Sequence, residues 1–431
     1  MSQNGKKLMA LLLPALLIMV AGAGCLDNDD GDENPNVIPD GTKQWTFMVY
    51  LDSDNNLESA GIEDMNEMEE IGSNDDINIV VLMDRCEGDD TSNGDWEDWR
   101  YYYVTKDPAG ANNEMISTEV DYPHLTPGEE PNMGDPQTLV NFLTWSMTTF
   151  PAEHYMLSLW NHGGGIRGVC WDDSTPDHDN LDLPELRTAF QQVQNNTGVE
   201  KLDVIGFDAC LMGETGIHYQ LQPFTDIVVA SEATESNDGW PYELFLGDVE
   251  QDPMMTPEEV ARSLVEHYVE SYGVAEPWVT QAAFKTEEMS LVYRDIDILA
   301  EILMSNVPEY DAPIADAREN SESYDLTKEG PYLPEMSGYP MSDLVDFLEE
   351  LEDRLSFDDD VVNAIMAIKN SVSEARIAYG SGTDMPESHG LSIYFPQTEN
   401  TGTSTYSETY DDMEYAQDHL WDDFLKAYYV D

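Results

Sequence analysis

The sequence predicts an α/β protein, with a mainly parallel sheet, helices on both of its faces and a helix-rich C-terminal part. Three observations carry this. The strand-like runs are apolar without strict alternation, as in INIVVLMD at 77–84, so both of their faces are covered. Helical segments alternate with them, as crossovers between parallel strands require. Apolar residues make up 41% of the 431 residues and aromatics 10%, which is enough for a core and excludes a wholly disordered chain.

The elements follow in order. WTFMVYLD at 45–52 is a short β-rich run, and Leu57–Ile71 reads as a helix. Ile77–Asp84 is a buried strand, and the aromatic Trp96–Thr105 is another. Pro136–Thr149 is an amphipathic helix with Leu139, Phe142, Leu143 and Met147 on one side. His154–Asn161 is a strand, Pro184–Gln194 a helix, Leu202–Phe207 a strand, Gly213–Leu221 a helix and Ile227–Ser231 a strand. Thr256–Tyr272 opens on a near capping box with proline in its first turn. Met289–Met304, Ser342–Leu355 and Val361–Ala378 are further amphipathic helices. Val279–Phe284 and Gly390–Phe395 interrupt them as strands. No repeat of fixed period and no glycine-rich phosphate loop is present.

The charge is extreme. Eighteen basic against 88 acidic residues give −70, and residues 45–431 hold −67 of it. Such a surface repels phosphate backbones, so nucleic acid is excluded as a partner. Carboxylate-rich, lysine-poor surfaces suit high salt, where screening weakens self-repulsion.

The N-terminus reads as an export signal over residues 1–24: Lys6 and Lys7, an apolar run from Leu8 to Val20, then small residues. The run is too short for a membrane span. Cys25 follows in a setting that resembles a lipoprotein box, with Gly22 where a larger aliphatic residue is usual. Residues 25–44 then form an acidic tether. The expected location is the outer face of the cell membrane, held by a lipid on Cys25; ordinary secretion is the alternative. A core at 45–288 and a helix-rich part at 289–431, containing the strand at 390–396, complete the division. A monomer is expected. Cys86 and Cys170 could pair, but nothing in the sequence demands it, and they read as idle or buried thiols.

Two strand ends carry chemistry. LSLWNHGGG at 157–165 places His162 after an apolar strand, before three glycines that free the backbone to bend and to offer its N–H groups. VIGFDACLMG at 204–213 ends the next strand on Cys210, 48 residues later, at the entrance to a helix whose N-terminus would favour a thiolate. A cysteine nucleophile needs a base and an oxyanion hole. Gly163 and Cys210 offer the amides for the hole. A lone His or Cys at a strand end is usually structural; the glycines, the spacing and the acid at Asp208 together point to function.

These pieces resemble the clostripain family of cysteine peptidases, which share a caspase-like three-layer α/β fold. The matching motifs are NHGGG at 161–165, FDACLMG at 207–213, ASEATESNDGWPY at 230–242, GLSIYFP at 390–396 and DSDNNLE at 52–58. They span most of residues 45–396. The resemblance implies His162 as base, Cys210 as nucleophile, and cleavage of polypeptides after Arg or Lys. It implies Asp208 and Asp238 as carboxylates of the pocket for the basic side chain, in keeping with charge-assisted recognition. Two alternatives stand beside this reading: a silent surface module that binds basic peptides, and a peptidase of the same fold with another preference. Asp208 as a helix cap and Asp238 as a turn residue are the structural readings.

No cofactor is expected, and no metal ligand set is assigned. Calcium is the one candidate cation, at the acidic loop Asp172, Asp173, Asp177, Asp179 and Asp182; such clusters are more often solvated. Asp52-x-Asp54-x-Asn56 opens like an EF-hand loop, but Leu57 stands where that loop requires Gly, so a helix cap is expected there.

Overall fold

The computed structural model describes residues 41–86, 88–125, 131–175, 178–324, 341–396 and 408–429. The signal segment, Cys25, the tether up to residue 40 and Asp177 lie outside the described residues.

Fourteen strands form among them: β1 (Lys43–Ser53), β2 (Ile77–Arg85), β3 (Trp99–Tyr103), β4 (Thr118–Glu119), β5 (Ala152–Trp160), β6 (Val169–Trp171), β7 (Asn180–Leu181), β8 (Leu202–Asp208), β9 (Thr225–Ala230), β10 (Thr280–Lys285), β11 (Ser323–Tyr324), β12 (Met341–Asp343), β13 (Arg376–Ser381) and β14 (Ser392–Tyr394). Nine of them make one sheet in the order β13-β10-β9-β8-β5-β1-β2-β3-β4. Its centre, β9-β8-β5-β1-β2, is parallel. β3 and β4 extend one side antiparallel, and β10 and β13 the other.

The unbroken apolar runs are explained by two cores. Along β1, Phe47, Val49 and Leu51 feed one cluster while Met48 and Tyr50 feed the other; β2 divides Ile79, Val81 and Met83 from Val80 and Leu82 in the same way. Successive side chains point to opposite faces, and each face lies under helices.

The sequence reading placed most of the elements it named within a few residues; it left the short strands β4, β6, β7, β11 and β12 and the helices from residue 408 onward unassigned, and three further differences bear on the core. The helix expected to end at Ala378 stops at Ala375, and Arg376–Ser381 continue as β13. The antiparallel partner β10 offers ladder bonds that outweigh helical propensity there. The helix expected to end at Met304 runs from Met289 to Asn320 through Pro308 and Pro313, carried by a buried face that includes Val307, Tyr310 and Ile314. A helix at Tyr242–Gln251, unassigned in the sequence, packs beside Glu58–Ile71.

Candidate active site

Strand register brings the two motifs together. Trp160 at the end of β5 pairs with Asp208 at the end of β8. His162 and Cys210 each lie two residues further on, so they leave neighbouring strands side by side at the carboxyl edge of the sheet. Function gathers at that edge in open α/β sheets. Gly163 rests against the turn that carries the cysteine: a Cβ there would lie 2.1 Å from the Cys210 carbonyl oxygen, so no other residue fits.

The histidine side is held by β1 and the segment after it. His162 Nε2 lies 3.0 Å from Asn56 Oδ1. An amide oxygen only accepts, so Nε2 carries the hydrogen and Nδ1 is left as the basic nitrogen. Burial lowers the His162 pKa, against a raising influence of Asp173. The preceding residue, Asn161, donates its Nδ2 to Asp52 Oδ2 and, at 2.9 Å, to the Trp171 carbonyl.

The cysteine side departs from expectation. Cys210 does not open a helix. The chain passes through Leu211 in the left-handed region, with φ 65°, and the helix begins only at Thr215 behind its cap Glu214. No helix N-terminus stabilises the thiolate. Burial instead pushes the Cys210 thiol up to about 11, with the Glu235 amide, 3.4 Å from Sγ, acting against that. Burial thus favours the neutral form of both the thiol and the imidazole.

Asp208 does not cap the helix either. It is buried, and its Oδ2 accepts from the Trp240 amide at 3.1 Å and the Tyr242 hydroxyl at 3.0 Å. Two carboxyls that motif reading did not select share its surroundings. Glu235, 8% exposed, is hydrogen-bonded to Asp208 and accepts from Gln281 at 2.9 Å. Asp64, fully buried, accepts from Trp160 Nε1 and lies against Gly239, where a Cβ would sit 2.5 Å from Asp64 Oδ2. Asp238 is exposed at the tip of the same loop. Glu235 stands inside the quoted ASEATESNDGWPY run, so its acid was in view; Asp64 sits in a helix with no distinguishing pattern.

A second acidic group lies under the histidine. Oxygens of Asp54, Asp84 and Asp172 are within 4.8 Å of one another, all three residues being buried. Hard oxygen donors at this spacing fit a calcium ion. Asp52 Oδ1, also buried, accepts no hydrogen bond. Asp52 and Asp54 are not helix caps: Asn55 Oδ1 receives the Leu57 amide at 2.8 Å, while Asp54 Oδ2 receives that of Ser174 at 3.1 Å. In the 172–182 loop, Asp172 turns inward to the Met133 amide and Asp182 caps the next helix with Glu185. Cys86, Cys170 and Cys210 are all free thiols.

The sequence profile of the clostripain family matches residues 49–428. The chain belongs to the clostripain family. Clostripain of Hathewaya histolytica is 29% identical over 423 residues, covering 84% of this chain and 77% of that protein. Two solved structures share the fold. A secreted C11 cysteine protease from Bacteroides thetaiotaomicron, in complex with an irreversible peptide inhibitor, has a TM-score of 0.60 at 19% identity over 87% of this chain and 98% of its own. An inactive zymogen C11 protease from Parabacteroides distasonis has a TM-score of 0.61 at 19% identity over 89% and 99%. This clostripain-family protein is thus a cysteine endopeptidase with a caspase-like α/β fold. No helix among the described residues is long and apolar enough to cross a membrane.

Proposed function

We propose that this endopeptidase cleaves after Arg or Lys, with Cys210 as nucleophile and His162 as base. The Trp160–Asp208 register carries the reading, because it sets the two motifs on adjacent strand ends. Nδ1 of the neutral His162 takes the thiol proton as Sγ attacks the scissile carbonyl carbon. The Gly163 and Cys210 amides hold the oxyanion. His162 returns the proton to the leaving amine, and the carbon–nitrogen bond breaks to leave an acyl-enzyme. Water then attacks with His162 again taking a proton, and acid and thiol are released. Asp208 provides the charge for the basic side chain, as the kinship with clostripain suggests; Asp238, exposed at the loop tip, would act at most at the mouth of the pocket.

The acyl transfer needs no cofactor. Calcium is a subordinate proposal: Asp54, Asp84 and Asp172 would hold it and so support the histidine segment, without taking part in a bond-making step. The protein works outside the cell, anchored through a lipid on Cys25 as a monomer, its acidic surface matched to salt. Mass spectrometry of the mature chain tests the anchor; an unmodified N-terminus elsewhere would remove it.

The central test is labelling with an arginine-derived chloromethyl ketone, followed by peptide mapping. Modification of Cys210 is expected, together with cleavage after basic residues in a peptide library. Inactivation through Cys86 or Cys170, or a library preference for Asp, Asn or apolar residues, would overturn the assignment.

A further inference from the structure

Four carboxyl groups crowd around Asp208, and among the described residues no cation balances them. Asp64 and Glu67 approach it from the helix Glu58–Ile71, Glu235 from the loop after β9, and Glu243 from the helix Tyr242–Gln251 through its contact with Glu67. The other titratable groups facing them are Glu63, Tyr242, Tyr268, Tyr272 and the Cys210 thiol. Among the described residues, no Lys, Arg or His forms an ion pair with Asp64, Glu67, Asp208, Glu235 or Glu243. Two buried oxygens, Glu235 Oε2 and Asp64 Oδ1, have no partner within hydrogen-bond distance, although the Trp240 side chain faces Glu235. Two carboxyls in hydrogen-bonding contact, as Asp208 and Glu235 are, need a proton between them, because like charges this close do not both ionise in a buried site.

We propose that Glu235 is a second specificity residue, that it shares one proton with Asp208 in the empty pocket, and that a guanidinium or ammonium side chain expels this proton to solvent on binding. The inference rests on the basic-residue specificity proposed above. The incoming cation supplies the charge that makes both carboxylates stable, so the proton passes to buffer and no bond other than O–H breaks. Burial holds Asp208 near 7 and Glu235 well above the ordinary carboxylate range, so the exchange falls in the neutral region. Basic peptides then bind more tightly as pH rises, by close to tenfold per unit for one proton.

The measurement is calorimetric titration of the Cys210→Ala protein with a tripeptide ending in Arg, at neutral pH, in phosphate and in Tris. The dependence of the heat on buffer ionisation enthalpy counts protons, and about one released per site is expected. The citrulline counterpart, neutral and nearly isosteric, is expected to bind weakly and release none. Glu235→Gln should bring the Arg count toward zero and flatten the pH dependence, changes that a purely structural role would not produce. Arg peptide that binds without proton release in the unmodified pocket overturns the inference alone, whether or not the Gln variant folds. Binding of neutral in place of basic peptides overturns the specificity reading, and the inference with it.

Discussion

Two groups of buried carboxylates flank the His162–Cys210 pair, and their surroundings differ. Under the histidine, Asp172 accepts from the backbone amides of Met133 and Thr175, Asp84 from that of Arg85 and Asp54 from that of Ser174. Beside the cysteine, Asp208, Glu235 and Asp64 accept mainly from side chains: Tyr242, Gln281 and Trp160, with a single amide, that of Trp240, on Asp208. Amide donors favour the charged carboxylate, whereas burial beside other acids favours the protonated one. The first group is therefore arranged around closely spaced oxygens tied to the backbone, although burial and the neighbouring Asp54 still raise Asp172 to about 6. The second is the group proposed above to hold a proton until a cation arrives. The comparison shows that an acidic cluster is characterised by its donors, not by its count of Asp and Glu.

The most severe change lies between the two groups. Cys210→Ala removes the proposed nucleophile and should lower turnover by about 10⁴-fold or more, while thermal unfolding stays close to wild type because the lost sulfur leaves little cavity. Cys86→Ala and Cys170→Ala should retain activity. A peptidase assay with melting curves for the three variants decides it, and full activity without the Cys210 sulfur would break the comparison at its centre.

On the pocket side, Asp208→Asn should cost roughly 2–5 kcal/mol in kcat/KM for basic substrates, the scale for a cation left without its partner. The loss should be confined to substrates with Arg or Lys at the cleavage position. An equal loss for every substrate would assign Asp208 to structure.

The histidine side should respond differently. Asp52 holds Asn161, and burial followed by the Asp172 charge raises its pKa well above the usual carboxylate value. A neutral amide should imitate it. Asp52→Asn is expected to change activity by less than about 0.5 kcal/mol, and Asp52→Ala to cost about 1–3 kcal/mol in kcat/KM by leaving a buried Asn161 donor unpaired. Steady-state kinetics of the pair separate hydrogen bonding from charge: loss in both would show that the charge itself is required.

How much of this the sequence contained can be stated residue by residue. The placement of His162, Cys210 and Asp208 at neighbouring strand ends is legible because their neighbours constrain them: glycines after the histidine, an acid two places before the cysteine, and apolar strands leading to both. The parallel centre of the sheet was legible because strands covered on two faces are apolar throughout. The setting of Cys210 was not. Glu214, not Cys210, opens the following helix, and a positive φ at Leu211 leaves no mark in a run such as DACLMG. The contribution of Asp64 was hidden because a helix far off in sequence delivers it to the loop after β9. β13 was hidden because its partner β10 lies about a hundred residues upstream, and such pairing is set by the whole fold.

The smallest expected effect concerns calcium. If the trio Asp54, Asp84 and Asp172 binds the ion, calcium at ten times its dissociation constant should stabilise the fold by about 1.4 kcal/mol, through the logarithmic dependence of stability on ligand excess. For a chain of this size that is a rise in Tm of a few degrees at most. Differential scanning fluorimetry with added EDTA and then calcium measures it. Screening must be separated from binding, because a net charge of −70 makes any salt stabilising to some degree. Magnesium at equal ionic strength is the control: it demands tighter octahedral geometry and surrenders water reluctantly, so it should give only the screening part. The calcium excess should vanish in Asp172→Asn and persist in Asp208→Asn. A shift of equal size for both ions would show that the carboxylates under the histidine, like those of the surface, respond to ionic strength alone.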